Sequence, residues 1–85
     1  MKFELFKKVA LAVDLPEYNL KKGDIATVVD YLVAEDTGEA GYALEVFNAL
    51  GETIDVIDVA ETDLEALRSN EIFMVRQLAD IAQLY

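Results

Sequence analysis

Residues 24–33 read DIATVVDYLV, a β-branched run that is apolar on both of its faces. Strand alternation puts Ala26, Val28 and Leu32 on one side, and Ile25, Val29, Tyr31 and Val33 on the other. A strand of this kind needs cover twice, and a small sheet supplies it by coiling around itself. The flanking segments fit that expectation. Lys8 to Leu15 sets Val9, Leu11, Val13 and Leu15 against Lys8, Ala10, Ala12 and Asp14, the period of a half-buried strand. Between the two runs lies DLPEYNLKKGD, Asp14 to Asp24, with the only proline of the chain. Pro16 fixes φ, Asn19 can take a left-handed conformation, and Gly23 releases the chain into the second strand. Leu15 and Leu20 are expected to anchor this bend to the core.

AEDTGEAG has turn composition, and Tyr42 to Phe47 reads as a third strand with Tyr42, Leu44 and Val46 facing one way. NALG makes a tight hairpin, with Gly51 supplying positive φ. In the fourth strand, Glu52 to Val59, the apolar phase slips from Ile54 and Val56 to Ile57 and Val59, which predicts a β-bulge. Thr62 and Glu65 have the capping-box spacing, so one helical turn is expected there, followed by a short closing strand at Ala66–Arg68. Ser69 or Asn70 then caps a helix from Glu71 to Leu84. Its apolar face is Met74, Val75, Leu78, Ile81, Ala82 and Tyr85, opposite Arg76, Gln77, Asp80 and Gln83. The predicted architecture is mainly β, an SH3-like small barrel of about five strands with a C-terminal α-helix. One domain spans 1–85, the barrel over 1–68 and the helix over 69–85. An isolated amphipathic helix is marginal in water, so it covers either an end of its own barrel or another copy of the chain.

Composition removes whole classes of chemistry. The 85 residues include no cysteine and no histidine, which excludes disulfides, thiolate or imidazole metal sites and His-based proton transfer. Ser69 is the only serine, and a Ser-His-Asp device is impossible without histidine. The net charge of −10 is uneven: residues 1–23 carry five lysines against Glu4, Asp14 and Glu17, whereas residues 24–85 carry 14 acids against Arg68 and Arg76. Such a surface repels a phosphate backbone. MKFELFKKVALAVDL is interrupted by Glu4, Lys7 and Lys8 too often for a signal peptide, and no apolar run approaches the roughly 20 residues that span a bilayer. A cytoplasmic protein without membrane contact is expected.

Few residues offer themselves as a site. Glu35, Asp36 and Glu39 share a loop but lack the alternating ligand spacing of a calcium loop. Asp55 and Asp58 differ in strand parity unless the bulge brings them together. Tyr31 and Tyr42 read as barrel wall. No catalytic, cofactor-binding or metal residue is predicted. Partner binding falls to Glu17, Tyr18, Lys21 and Lys22, where the bend presents an aromatic ring and two cations in an otherwise acidic chain.

DLPEYNLKKGDIATVVDYL resembles a bacterial family, domain of unknown function 4926. Asp14, Leu15, Pro16, Glu17, Leu20, Lys21, Lys22, Gly23, Thr27, Val28 and Val29 match its pattern. NEIFMVRQLA looks like the tail that some members carry. Asn19 and Ala26 stand where the family usually has glycine; Asn is the non-glycine residue that best tolerates left-handed φ, and Ala is the smallest side chain available. Gly23, Ala26 and Val28 are also similar to a KOW-type motif at those three positions. The resemblance implies no activity. The expected function is a non-enzymatic protein–protein interaction module, antitoxin- or immunity-like or an accessory subunit. The alternatives are a nucleic-acid-binding barrel using Lys7, Lys8, Lys21 and Lys22 as a local patch, and a homo-oligomer joined through the C-terminal helix.

Overall fold

The computed structural model describes residues 1–78, which form one antiparallel sheet of five strands. The strands are β1 (Lys8–Leu11), β2 (Ile25–Val33), β3 (Ala40–Phe47), β4 (Thr53–Ala60) and β5 (Leu64–Ala66). Their order is β4-β3-β2-β1-β5, so the last strand returns to lie beside the first. The sheet is not closed. β4 and β5 are its two edges, and all three residues of β5 are taken by β1, Val9 opposite Ala66 and Leu11 opposite Leu64. The expected barrel is therefore an open sheet in its hydrogen bonding.

Two bulges decide which side chains enter the core. The β2–β3 register shifts between Val28 and Asp30, which leaves Val29 as the extra residue of β2. Val28 pairs with Leu44 and Tyr31 with Tyr42, and residues directly opposite share a face, so the bulge turns Tyr31 and Val33 onto the side of Ala26 and Val28. Leu32 goes to the other side. Unbroken alternation had divided these residues the opposite way beyond Val28. The second bulge is in the fourth strand, as expected, but at Ile54: Val46 pairs with Asp55 and Phe47 with Thr53. Past it, Ile57 and Val59 point inward and Val56 stays outside.

The core gathers on that one face. Val9, Leu11, Ala26, Val28, Tyr42, Leu44, Val46, Ile57, Val59 and Leu64 are buried, joined by Phe3 from the N-terminal segment and Leu20 from the bend. Each Val or Leu removed from water here contributes about 1.5–3 kcal/mol before entropy is counted. Among the described residues Tyr42 is the one buried side chain with a polar end, and that end is satisfied three times. Its hydroxyl accepts the N–H groups of Lys2 at 2.9 Å and Phe3 at 3.0 Å, and donates to Glu61 Oε2 at 2.5 Å. Its ring meets Phe3 edge-on at 5.5 Å and Tyr31 at 5.4 Å. One side chain thus ties the N-terminal segment and the turn before β5 to the middle of the sheet.

Other boundaries move for local reasons. β1 stops at Leu11, short of the expected Leu15; the Ala12 N–H still meets the Asp63 carbonyl at 2.8 Å, where its partner β5 gives way to a 3-10 turn. The hairpin after Phe47 is built by Asn48, whose Oδ1 accepts the N–H groups of Leu50 and Glu52, with Gly51 at φ 83°. The helical turn before the closing strand is a 3-10 turn at Glu61–Asp63, and no side chain caps it, so the Thr62 capping box does not form. The closing strand follows at once, two residues earlier than predicted.

The C-terminal helix is corrected more deeply. Arg68 to Glu71 makes a turn, with the Glu71 N–H on the Arg68 carbonyl at 3.1 Å, and residues 71–78 form no helix. Ile72, Phe73, Met74 and Val75 are 61–88% exposed. Among the described residues the buried core runs no further along the chain than Leu64 and takes in none of Ile72 to Val75, and an amphipathic helix whose apolar face is not covered is marginal. The remainder of the expected helix, 79–84, lies outside the described residues. Among the described residues no helix is long and apolar enough to cross a membrane.

Candidate contact surface at the bend

The bend between β1 and β2 is built as its sequence requires. Pro16 opens a single 3-10 turn, Pro16–Tyr18, which ends at Asn19 in the left-handed region at φ 59°, ψ 34°. Leu15 and Leu20 exchange backbone hydrogen bonds at 2.9 and 3.1 Å, pinching the loop at its base. Leu20 is buried and Leu15 packs against the core beside it. Gly23 takes φ 92°, and its N–H returns to the Leu11 carbonyl at 2.8 Å as β2 begins. Two carboxylates hold the second half of the loop: Asp14 Oδ1 accepts the Lys22 N–H at 2.8 Å, and Asp24 Oδ2 accepts the Lys21 N–H at 2.7 Å. Backbone donors and core contacts fix the loop, so Glu17, Tyr18, Lys21 and Lys22 are all left exposed, Tyr18 at 38%.

A partner for this surface that sequence reasoning missed comes from the far end of the chain. The Arg76 Nε donates to Asp24 Oδ1 at 2.8 Å, Nη2 donates to Asp24 Oδ2, and Nη2 also faces the Asn19 carbonyl at 3.4 Å. Partial burial pushes the Asp24 carboxyl upward, but the Arg76 guanidinium and the Lys21 N–H outweigh it and hold the group below its usual range. The tail is therefore latched onto the bend through Arg76, and its exposed run Ile72–Val75 directly precedes the latching residue. No local signal announces a contact between residues 52 positions apart.

The other candidates separate. Lys7 and Lys8 stand where β1 meets Thr27 and Val28, while Lys21 and Lys22 stand at the opposite end of the β1–β2 ladder, beyond Leu11. Asp55 lies opposite the inward Val46 and Asp58 opposite the outward Ala43, so the bulge at Ile54 leaves them on different faces. Glu35, Asp36 and Glu39 form no cation site, nor does any other group of carboxylates among the described residues. Tyr42 is buried, and burial together with the Glu61 carboxylate pushes its phenol above the ordinary value. Tyr31 is not wall but rim, 37% exposed. Phe6 was not singled out by sequence. It is 73% exposed and sits at φ 64°, a left-handed conformation that costs a bulky side chain about 1–2 kcal/mol. Its N–H on the Val28 carbonyl at 2.6 Å holds it there.

None of the curated proteins and none of the solved structures matches the chain. One family model does, over residues 5–66, from the N-terminal segment to the last residue of β5, with the whole bend inside it and the latched tail outside. By that match the chain belongs to the family described as Domain of unknown function (DUF4926).

Proposed function

We propose that this protein is a non-enzymatic module acting through protein–protein contact, with the bend and the latched tail as one contact surface. The observation that carries the reading is the Arg76–Asp24 ion pair, because it fixes a tail whose exposed apolar strip, Ile72–Val75, immediately precedes Arg76 to a bend that exposes Tyr18, Lys21 and Lys22. Aromatic and Met side chains ringed by polar groups are the composition of interface centres. The described core holds no buried charge, and its only buried polar end, the Tyr42 hydroxyl, is spent on structure. Among the described residues, two shallow concavities beside Ala40 and Ala60 are lined by none of the bend residues. The strand order, with β5 returning beside β1 after a 3-10 turn, supports an SH3-like reading of the sheet. In a bacterial cytoplasm, the acidic body suits a neutralising partner of a basic toxin or nuclease, its carboxylates standing in for phosphates, or an accessory subunit of a larger enzyme. Binding of nucleic acid by a lysine patch is disfavoured by the separation of the two lysine pairs.

The test is capture of proteins encoded beside this chain, using the tagged full-length protein and its Lys21→Glu/Lys22→Glu and Phe73→Ser variants. Capture by the wild type and loss in both variants supports the reading. Equal capture by all three discards the bend as the contact surface. Titration with RNA or DNA at low salt is expected to show no binding.

A further inference from the structure

The face of the sheet opposite the core has its own pattern. The register places Asp30, Ala43 and Asp58 in one row across β2, β3 and β4, and Thr27, Glu45 and Val56 in the next. Residues directly opposite share a face, so three carboxylates surround Ala43 and Val56 on the outside of the sheet. Val56 is 58% exposed, and Asp30 and Asp58 are exposed. The only cation in these two rows is Lys8, which lies beyond Thr27. At the bend the balance differs. Arg76 pairs with Asp24, and Asp14 is engaged by the Lys22 N–H, while Lys21, Lys22 and Glu17 are exposed, so the loop's exposed side chains carry two cations against one carboxylate.

We propose that the occupant of the bend-and-tail surface is a second copy of this chain, docked by the outer face of its sheet. Lys21 and Lys22 of one copy then meet Asp30 and Asp58 of the next, and Val75 lies against Val56. The inference rests on the reading of the bend as a contact surface and adds the identity of the partner. Signs decide the pairing: bend on bend opposes lysines, sheet on sheet opposes carboxylates, and only the crossed arrangement matches them. The two patches are different, so the contact is heterologous and repeats from copy to copy until a ring closes. The net charge of −10 per copy opposes assembly, but screening at physiological ionic strength limits that repulsion to about 8 Å and leaves the close pairs in place.

Sedimentation of the full chain up to millimolar concentration tests this, with Lys21→Glu/Lys22→Glu as the bend variant and Asp30→Lys/Asp58→Lys as the sheet variant. All four positions are exposed, and circular dichroism verifies that each variant is folded. The wild type is expected to gain mass with concentration beyond a dimer, each variant alone to remain a monomer, and their equimolar mixture to recover association. Association of the wild type with loss in each variant alone is the pattern of a contact that needs both patches, and recovery on mixing shows that the loss is one of charge and not of fold. A wild type that stays monomeric, variants that associate like the wild type, or a mixture that stays monomeric overturns the proposal. If the wild type is monomeric yet neighbour-encoded proteins are captured through Lys21 and Lys22, the second copy is refuted while the bend stands as the contact surface.

Discussion

Arg76 and Asp24 are 52 positions apart in the chain and meet as a forked ion pair, with Nε donating to Oδ1 at 2.8 Å and Nη2 to Oδ2. The contact joins two parts of different standing. Asp24 is inside the family match, at the end of the bend, and Arg76 is ten residues past it. A guanidinium fork fits a carboxylate in one geometry, so this pair sets where the exposed tail lies relative to Tyr18, Lys21 and Lys22.

Replacing Arg76 by Gln should move the Asp24 carboxyl back toward its ordinary value of 3.8, followed by NMR titration of that group. Its folded-state value is below the unfolded one. The pair's contribution is therefore complete above the unfolded value and is lost as pH falls through the folded value. Both partners are partly exposed, so global stability should fall by less than about 1 kcal/mol, while amide exchange over residues 71–78 accelerates. An unchanged Asp24 titration in the variant would show that the pair does not form in solution.

Tyr42→Phe keeps the ring packing and removes the hydroxyl that serves Lys2, Phe3 and Glu61. The Phe3 N–H is left buried without an acceptor, at a cost of about 1–3 kcal/mol in denaturant unfolding. The phenol is raised above 10.0 by burial and by Glu61, so the wild type loses stability as pH rises through the folded value, and the variant should lack that alkaline loss. Equal stability of the two proteins at neutral pH would remove Tyr42 from its central position.

Asn19 and Phe6 are the two non-glycine residues at positive φ among the described residues. Asn19→Gly should leave thermal stability nearly unchanged, and Asn19→Val should cost about 1–2 kcal/mol, since a β-branched side chain clashes in the left-handed region. Phe6 buries little, so Phe6→Asn should raise stability by up to about 1 kcal/mol. A destabilised Phe6→Asn would mean that the exposed ring contributes packing that outweighs its backbone strain.

Much of the bend was legible because each of its features is set by one residue or a close neighbour. Pro16 starts the turn, Asn19 takes the left-handed position, Gly23 exits, and Leu15 and Leu20 anchor it. The faces of β2 were not legible past Val28. A bulge at Val29 depends on how β3 pairs, and nothing in IATVVDYLV distinguishes an extra residue from an ordinary one. The tail misled for another reason. Its periodicity is that of an amphipathic helix, but periodicity says which face would be covered and not whether a surface is there to cover it. The Arg76 latch was invisible because long-range ion pairs leave no spacing to read.

The central claim is that this chain works through contact at its bend and tail. The most direct measurement places a photo-crosslinking residue in the full-length protein at Tyr18, at Phe73, or at Leu50 on the β3–β4 hairpin, which is 85% exposed and serves as the control. The account predicts covalent protein adducts from positions 18 and 73 in cells and none from position 50. Adducts from position 50 alone, or none from 18 and 73, would contradict it.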